Sequence, residues 1–223
     1  MGELWRAALD LVLGAGCPRC GDPGSGVCRP CTSELVPEPV AVPLEGLDVV
    51  AAGLHAGERR DALLAWKVGG EVGFDALMAH HLATAVLVLV GDAPAVGLVP
   101  VPTTRRSRRE RGRDLVGDLA RDAASRLTRV GVDAQVLSVL RLVRQPRDQH
   151  ALDRHQRRRN VTGSMRARTP PSGRALVVVD DVVTTGATLL EAVRALSGCD
   201  STQVLGGAAL AVASHPGDGL RSR

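Results

Sequence analysis

Three aromatic side chains, Trp5, Trp66 and Phe74, with no tyrosine, are all that 223 residues contain. The core must therefore be aliphatic, built from valine, leucine and alanine, and the surface has almost nothing on which nucleic-acid bases could stack. Lysine is scarcer still: Lys67 stands alone against 27 arginines. No apolar run reaches the roughly 18 residues that a membrane-spanning helix needs. The first 16 residues are mildly apolar but are interrupted by Glu3, Arg6 and Asp10, which makes a poor targeting signal. A cytoplasmic protein is expected. No Gly-x4-Gly-Lys-Ser/Thr occurs, which excludes a Walker-type nucleotide site.

What is present is unevenly placed. Between Val99 and Thr169 there are 18 arginines against seven acids, whereas the rest of the chain holds ten basic and 17 acidic residues. The net charge of +4 thus conceals a basic middle segment. Such a segment suits an anionic ligand or partner, or forms a solvated arginine-rich surface.

Four of the five cysteines fall at Cys17, Cys20, Cys28 and Cys31, as two Cys-x2-Cys pairs among Gly16, Gly21, Gly24 and Gly26. Two close pairs of thiolates can fill a tetrahedral zinc shell, and glycines allow the tight knuckles this requires. Disulfides and paired redox centres are the alternatives; a reducing cytoplasm and the lack of a βαβ pattern around either pair favour zinc. A shell of four thiolates leaves no open position, so the metal would be structural. Cys199 reads as a small packing residue.

The most informative stretch is Ala175-Leu-Val-Val-Val-Asp-Asp-Val-Val-Thr-Thr-Gly-Ala-Thr188. An apolar run ends in adjacent carboxylates, a hydroxyl-rich turn follows, and then a helix pattern with Leu189, Leu190, Val193 and Leu196 on one face. Free amides at a helix start in a glycine-containing turn favour phosphate, and two acids at a strand's carboxyl end suit vicinal hydroxyls. A ribose 5-phosphate pocket combines the two. An ordinary strand–turn–helix with a capping Asp or Thr would require neither the acid pair nor the Thr-Thr-Gly-x-Thr turn.

Elsewhere the spacing predicts a helix over 1–16, an extended linker from Leu35 to Pro43, a strand over Asp48–Leu54 and a helix over Glu58–Val68 stopping at Gly69-Gly70. A helix over Asp75–Val90 follows, in which His80 and His81 point in different directions and make a poor metal site. Strands are expected over Ala95–Val101 and Gln135–Leu140, with a helix over Asp114–Val130 between them. Arg141–Arg168 reads as a mobile excursion with at most a short strand or helix. The Ala175–Val179 strand and a last strand over Val204–Ala213 complete the pattern, with a frayed tail from Ser214. Strands alternating with helices imply an α/β fold with a parallel sheet flanked by helices. Two units are expected: residues 1–43 as an N-terminal helix, cysteine module and linker, and residues 44–223 as the sheet domain.

The Ala175–Thr188 stretch resembles the 5-phosphoribosyl 1-pyrophosphate (PRPP) motif of type I phosphoribosyltransferases. Val99-Pro-Val-Pro-Thr-Thr with Arg109-Glu-Arg-Gly-Arg-Asp114, then Arg144-Gln-Pro-Arg-Asp-Gln149 with Arg158-Arg159-Asn160, and Leu63-Leu-Ala-Trp-Lys67 narrow the resemblance further. With the four cysteines, the chain resembles the ComF (ComF/GntX-like) family. That resemblance implies a zinc ribbon joined to a type I phosphoribosyltransferase domain, and an association with DNA uptake and natural transformation. Arg113-Asp114-Leu115 departs from the family pattern.

By that resemblance Asp180 and Asp181 bind the ribose 2′- and 3′-hydroxyls, and Thr184, Thr185, Gly186, Ala187 and Thr188 wrap the 5′-phosphate. Thr103, Thr104 and Arg105 form the pyrophosphate loop, with Mg²⁺ bridging pyrophosphate and ribose oxygens. Lys67 is placed for a phosphate or is a solvated helix-end residue. Arg144, Gln149, Arg158 and Asn160 form or anchor a flexible lid, or belong to a solvated loop. Two functional readings follow. One is a Mg²⁺- and PRPP-dependent phosphoribosyltransferase of unspecified acceptor. The other is a non-catalytic DNA-uptake protein that binds single-stranded DNA through its arginines, with competence or recombination proteins as partners.

Overall fold

The computed structural model describes residues 16–24, 26–68, 71–145, 154–199 and 203–213. Residues 1–15 of the helix expected over 1–16, the tail from Ser214, and Gln149 lie outside them, and Gly16 itself bridges Pro23 rather than ending a helix. The centre is a six-stranded sheet in the order β1-β2-β8-β7-β3-β4. Its strands are β1 (Val40–Leu44), β2 (Leu47–Ala51), β3 (Ala95–Pro100), β4 (Asp133–Val136), β7 (Ala175–Val183) and β8 (Val204–Val212). All neighbours run parallel except β1, which pairs antiparallel with β2 at the edge. β7 sits centrally because its valines are buried and β-branched, a composition suited to a strand covered on both faces.

Gly206 and Gly207 reveal how the layers close. A Cβ on Gly206 would meet Leu89 at 2.9 Å, and one on Gly207 would meet Leu189 at 2.9 Å. Consecutive strand residues face opposite ways. Leu89 belongs to α3 (Asp75–Val90) and Leu189 to α7 (Ala187–Leu196), so these helices cover opposite faces of β8. Next to α3 lies α5 (Leu115–Arg129), whose Leu115, Leu119, Ala123 and Leu127 are buried. The stretch Val72–Val90 would be long and apolar enough to cross a membrane, yet Leu77, Met78, Leu82, Val86 and Val90 are buried against the sheet and α5, as in a core helix.

The expected α/β architecture is present, with three local differences. β1 begins inside the stretch read as a linker and continues through Pro43, which pairs with Asp48. An edge strand tolerates a residue that lacks an N–H, and a proline-rich segment therefore conceals it. β4 ends at Val136; Leu137 donates to the Leu98 carbonyl, and the chain then leaves the sheet. Leu140–Leu142 (β5) instead pairs antiparallel with β6 (Met165–Ala167). These two three-residue strands and α6 (Arg154–Val161) order part of the stretch read as an excursion.

The cysteine module docks on this domain. Arg19 ion-pairs with Glu34 of α1 (Arg29–Glu34) and, at 2.6 Å, with Glu58 of α2 (Gly57–Lys67). Pro18 comes so near Gly73 that a Cβ there would stand 3.1 Å from the proline ring.

Candidate functional site

β7 does not stop before its acids. It continues through Asp180 and Asp181 to Val183, with Asp180 opposite Ala209 on β8. Both aspartates are buried. Each tethers its Oδ1 to the next backbone amide: the Asp181 N–H donates to Asp180 at 2.8 Å, and the Val182 N–H donates to Asp181 at 2.7 Å. Burial, reinforced by the neighbouring Asp181 carboxylate, pushes the Asp180 carboxyl up to about 7. Lys67, the last residue of α2, places Nζ 2.5 Å from Asp181 Oδ2. The sequence left Lys67 between a phosphate partner and a solvated helix end; the fold brings it to the acid pair.

The turn after β7 is shaped for close approach. Gly186 has φ +72°, and a Cβ there would stand 2.1 Å from Leu44 Cδ2. Only glycine meets both demands without strain. α7 starts at Ala187 with no side-chain cap on its N-terminal residue; the Thr185 hydroxyl accepts weakly from the Ala187 N–H at 3.4 Å. Thr184 is exposed, and Thr185 and Thr188 are half-buried. The amides of a helix's first turn have no intrahelical acceptor, so this end can receive an anion.

β3 delivers the neighbouring turn. Pro100 pairs with Val179, so Val101–Thr104 leaves the sheet beside the acids. Thr104 caps α4 (Arg105–Arg111), its oxygen accepting from the Ser107 N–H at 3.1 Å. The Thr103 hydroxyl donates to Asp114 at 3.0 Å, and Arg108 ion-pairs with the same carboxylate at 2.7 Å. Arg105 is exposed. A cavity of about 370 Å³ lies between this turn and the β5 strand, with Thr103, Arg105 and Arg108 on one side and Arg141 and Arg144 on the other.

Of the residues expected in a lid, Arg144 bonds to the Asn160 and Thr162 carbonyls, which braces the segment internally. Arg158 pairs with Glu45 in the turn between β1 and β2, one residue from the Leu44 that rests on Gly186. The Val101–Thr104 turn, the Arg158–Glu45 contact, the β1–β2 hairpin and the Thr184–Thr188 turn thus lie toward the carboxyl edge of β3 and β7, where open α/β sheets take ligands.

Two features escaped the sequence reading. His55 follows β2 at the same edge, with Nδ1 buried and unpartnered. Burial, then the nearby Arg60 and Lys67 charges, lower its pKa. The rule that ligands sit at strand carboxyl ends could have flagged it. The second is a brace: Arg113 grips Asp75 with two bonds of 2.9 Å, and Asp75 also accepts from Trp66 Nε1 at 2.6 Å. Arg113 and Asp114 mark the departure from the family pattern, and both hold the scaffold around the pocket.

Another cavity, of about 820 Å³, is lined by none of the predicted site residues. It is an open crevice between the cysteine hairpin and helices α3 and α5.

The four sulfurs of Cys17, Cys20, Cys28 and Cys31 lie within 4.8 Å of one another. Thiolates at ~2.3 Å from a zinc ion stand about 3.8 Å apart, so the cluster can hold that metal. Gly16 bridges Pro23, the Cys17 N–H donates to Asp22 at 2.7 Å, and Gly21 and Gly26 take φ +80° and +92°, which makes the expected knuckle. Burial opposes ionisation of Cys17, but the amides of Cys28, Cys20 and Arg19 outweigh it and bring the thiol down to about 6. Cys199 lies far along the chain, half-buried after α7.

Comparison with known proteins agrees with this geometry. Residues 118–217, which include the acid pair and the Thr184–Thr188 turn, match the phosphoribosyl transferase domain. The chain is 34% identical over 109 residues to the DNA utilization protein YhgH of Escherichia coli O157:H7, covering 48% of this chain and 46% of that protein. A relative of the same name from Shigella flexneri is 43% identical over 58 residues, 25% of this chain and 26% of that one. The chain therefore spans about half the length, or less, of the curated relatives it matches. Residues 118–217 are thus similar to a phosphoribosyl transferase domain, a four-cysteine cluster lies ahead of them, and about half of the chain is similar to DNA utilization proteins.

Proposed function

We propose that the chain binds PRPP, or a related ribose 5-phosphate ligand, at the carboxyl edge of β3 and β7 and transfers its phosphoribosyl group. The observation that carries this reading is the buried Asp180–Asp181 pair followed within one turn by the glycine-shaped start of α7. Asp180 and Asp181 accept from the ribose hydroxyls. The Thr184–Thr188 turn takes the 5′-phosphate through backbone amides and threonine hydroxyls. Thr103, Thr104 and Arg105 face the pyrophosphate, whose departure leaves positive character at ribose C1 that the carboxylates stabilise. Arg144, Asn160 and Arg158 form the base of a cover that excludes water, with Gln149 belonging to the same segment by its motif. Mg²⁺ is assigned to the ligand's pyrophosphate, which supplies hard oxygens; both Oδ1 atoms of the acid pair hold backbone amides and Asp181 Oδ2 holds Lys67.

Calorimetric titration with PRPP, followed by assay of pyrophosphate release against a set of acceptors, tests the reading. Binding with release makes the chain a working transferase; absence of PRPP binding removes the site assignment. The cysteine cluster is assigned a structural zinc. Metal analysis should find about one zinc per chain, and Cys28→Ser/Cys31→Ser should lose it. The boundary expected at residues 43–44 is proposed instead ahead of Val40, because β1 belongs to the sheet, and a reducing cytoplasmic location is part of the same reading.

A second reading rests on α4. Five of its seven residues are arginines, at the carboxyl edge and with none buried, and the relatives are named for DNA utilization. In this reading the chain binds single-stranded DNA electrostatically, with competence or recombination proteins as partners and without transfer. Affinity for an oligonucleotide should then fall steeply with salt, and Arg105→Gln/Arg106→Gln/Arg108→Gln/Arg109→Gln should reduce the salt slope. A slope unchanged by that variant removes the DNA reading.

A further inference from the structure

The acid pair already has a cation. Lys67 Nζ lies 2.5 Å from Asp181 Oδ2, with the lysine side chain 29% exposed and the aspartate side chain 11% exposed. The backbone that carries Lys67 is fixed. Trp66 beside it is 2% exposed and donates to Asp75, which Arg113 also grips, and the Val68 amide donates to the Leu64 carbonyl. The basic residues of this chain are arginine in 27 of 28 cases, and the exception stands here. An ammonium is a compact, strongly hydrated point charge with three donors, whereas guanidinium is a broad planar fork.

Those three donors fit a diol site. One satisfies Asp181, and two remain for ribose oxygens whose own hydrogens go to the carboxylates. A divalent cation fits worse. Mg²⁺ requires near-octahedral oxygen ligation at ~2.0–2.1 Å. To reach Asp181 Oδ2 it would have to displace the ammonium, and both Oδ1 atoms already accept backbone amides. Asp180, Asp181, Lys67, His55 and Arg60 are the charged or titratable groups coupled here. With Asp180 raised toward neutrality, the two acids and the lysine carry little net charge to attract a dication.

We infer that Lys67 takes the place of a divalent cation at the acid pair, so that the ribose of a ribose 5-phosphate ligand is bound by a lysine–carboxylate pair without Mg²⁺. This rests on the ribose 5-phosphate reading above and confines Mg²⁺ to a pyrophosphate. Ribose 5-phosphate itself, which has no pyrophosphate, is the probe. Titrated into the full, metal-replete chain, it should bind with the same Kd, within about twofold, in Mg²⁺-free buffer and in millimolar Mg²⁺. No chelator is used, so the cysteine site stays intact. Lys67→Met should weaken binding about tenfold, the worth of one charged hydrogen bond, and added Mg²⁺ should restore part of it. Lys67→Arg should fall between the two.

Wild-type binding that appears only with Mg²⁺ overturns this inference and leaves the ligand assignment standing. So does a Lys67→Met variant that binds as the wild type does. No wild-type binding in either buffer overturns the ligand assignment and this inference with it. Because the wild-type comparison decides alone, an unstable Lys67→Met protein leaves the test intact.

Discussion

β7 and β3 are neighbours in the sheet, and each delivers a charged segment to the same edge by opposite means. β7 brings two carboxylates that are buried, tethered to backbone amides and matched by one lysine. β3 brings α4, four of whose five arginines are exposed and two of which pair with near neighbours, Arg106 with Glu110 and Arg108 with Asp114. A buried charge cannot be left without partners, so its geometry is narrowly determined. Exposed arginines are screened and interchangeable. In the proposed function the first arrangement selects a ligand, and the second would attract anions in general.

Neutralising both acids should have the largest effect. Asp180→Asn/Asp181→Asn should weaken ribose 5-phosphate binding by about a hundredfold, two hydrogen bonds to carboxyl groups at ~1.5 kcal/mol each, with circular dichroism showing the fold intact. Wild-type affinity in that variant would erase the contrast with α4. Gly186→Ala comes next, because it demands a left-handed alanine and collides with Leu44. It should lower stability by about 1–2 kcal/mol and reduce phosphate affinity. Adding Leu44→Ala should relieve the collision but not the backbone strain, and recovery of full stability would show that strain plays no part.

A smaller effect sharpens the meaning of burial. The Asp180 carboxyl, held up to about 7 in the folded chain by burial and then by Asp181, titrates near about 3.9 when unfolded. The folded state binds this proton more tightly. Its contribution to stability is therefore complete below about pH 4 and is lost as pH rises through about 7. Urea midpoints between pH 4 and 7.5 should fall less steeply in Asp180→Asn than in the wild type; identical slopes would place the carboxyl outside the buried environment. The smallest effect belongs to α4. Arg106→Gln/Arg109→Gln should alter ribose 5-phosphate affinity by less than about threefold, and only at low salt. A change as large as that of the acids would make the helix a selective element after all.

The same contrast explains what the sequence made visible. The strand, turn and helix around Asp180 and Gly186 are contiguous, so their pattern could be read locally, as could the cysteine knuckles. The continuation of β7 through two acids could not, because it depends on pairing with β8 as far as Val212, a distant segment. Lys67 meets Asp181, and Thr103 meets Asp114, only after distant segments fold together, and no periodicity encodes those meetings. Pro43 concealed β1 because edge pairing forgives a missing donor. The strands β5 and β6, three residues each and rich in arginine, are too short to show alternation and exist by pairing with each other.

Helix α2 has a further mechanical meaning. Glu58 in its first turn is held by Arg19 of the cysteine knuckle, and Lys67 at its last turn is held by Asp181. A helix is stiff along its axis, and this one spans about 13 Å between those grips. It therefore ties the cysteine hairpin to the acid pair through one rigid element, so that a sugar bound as proposed against the ammonium would be braced from the hairpin.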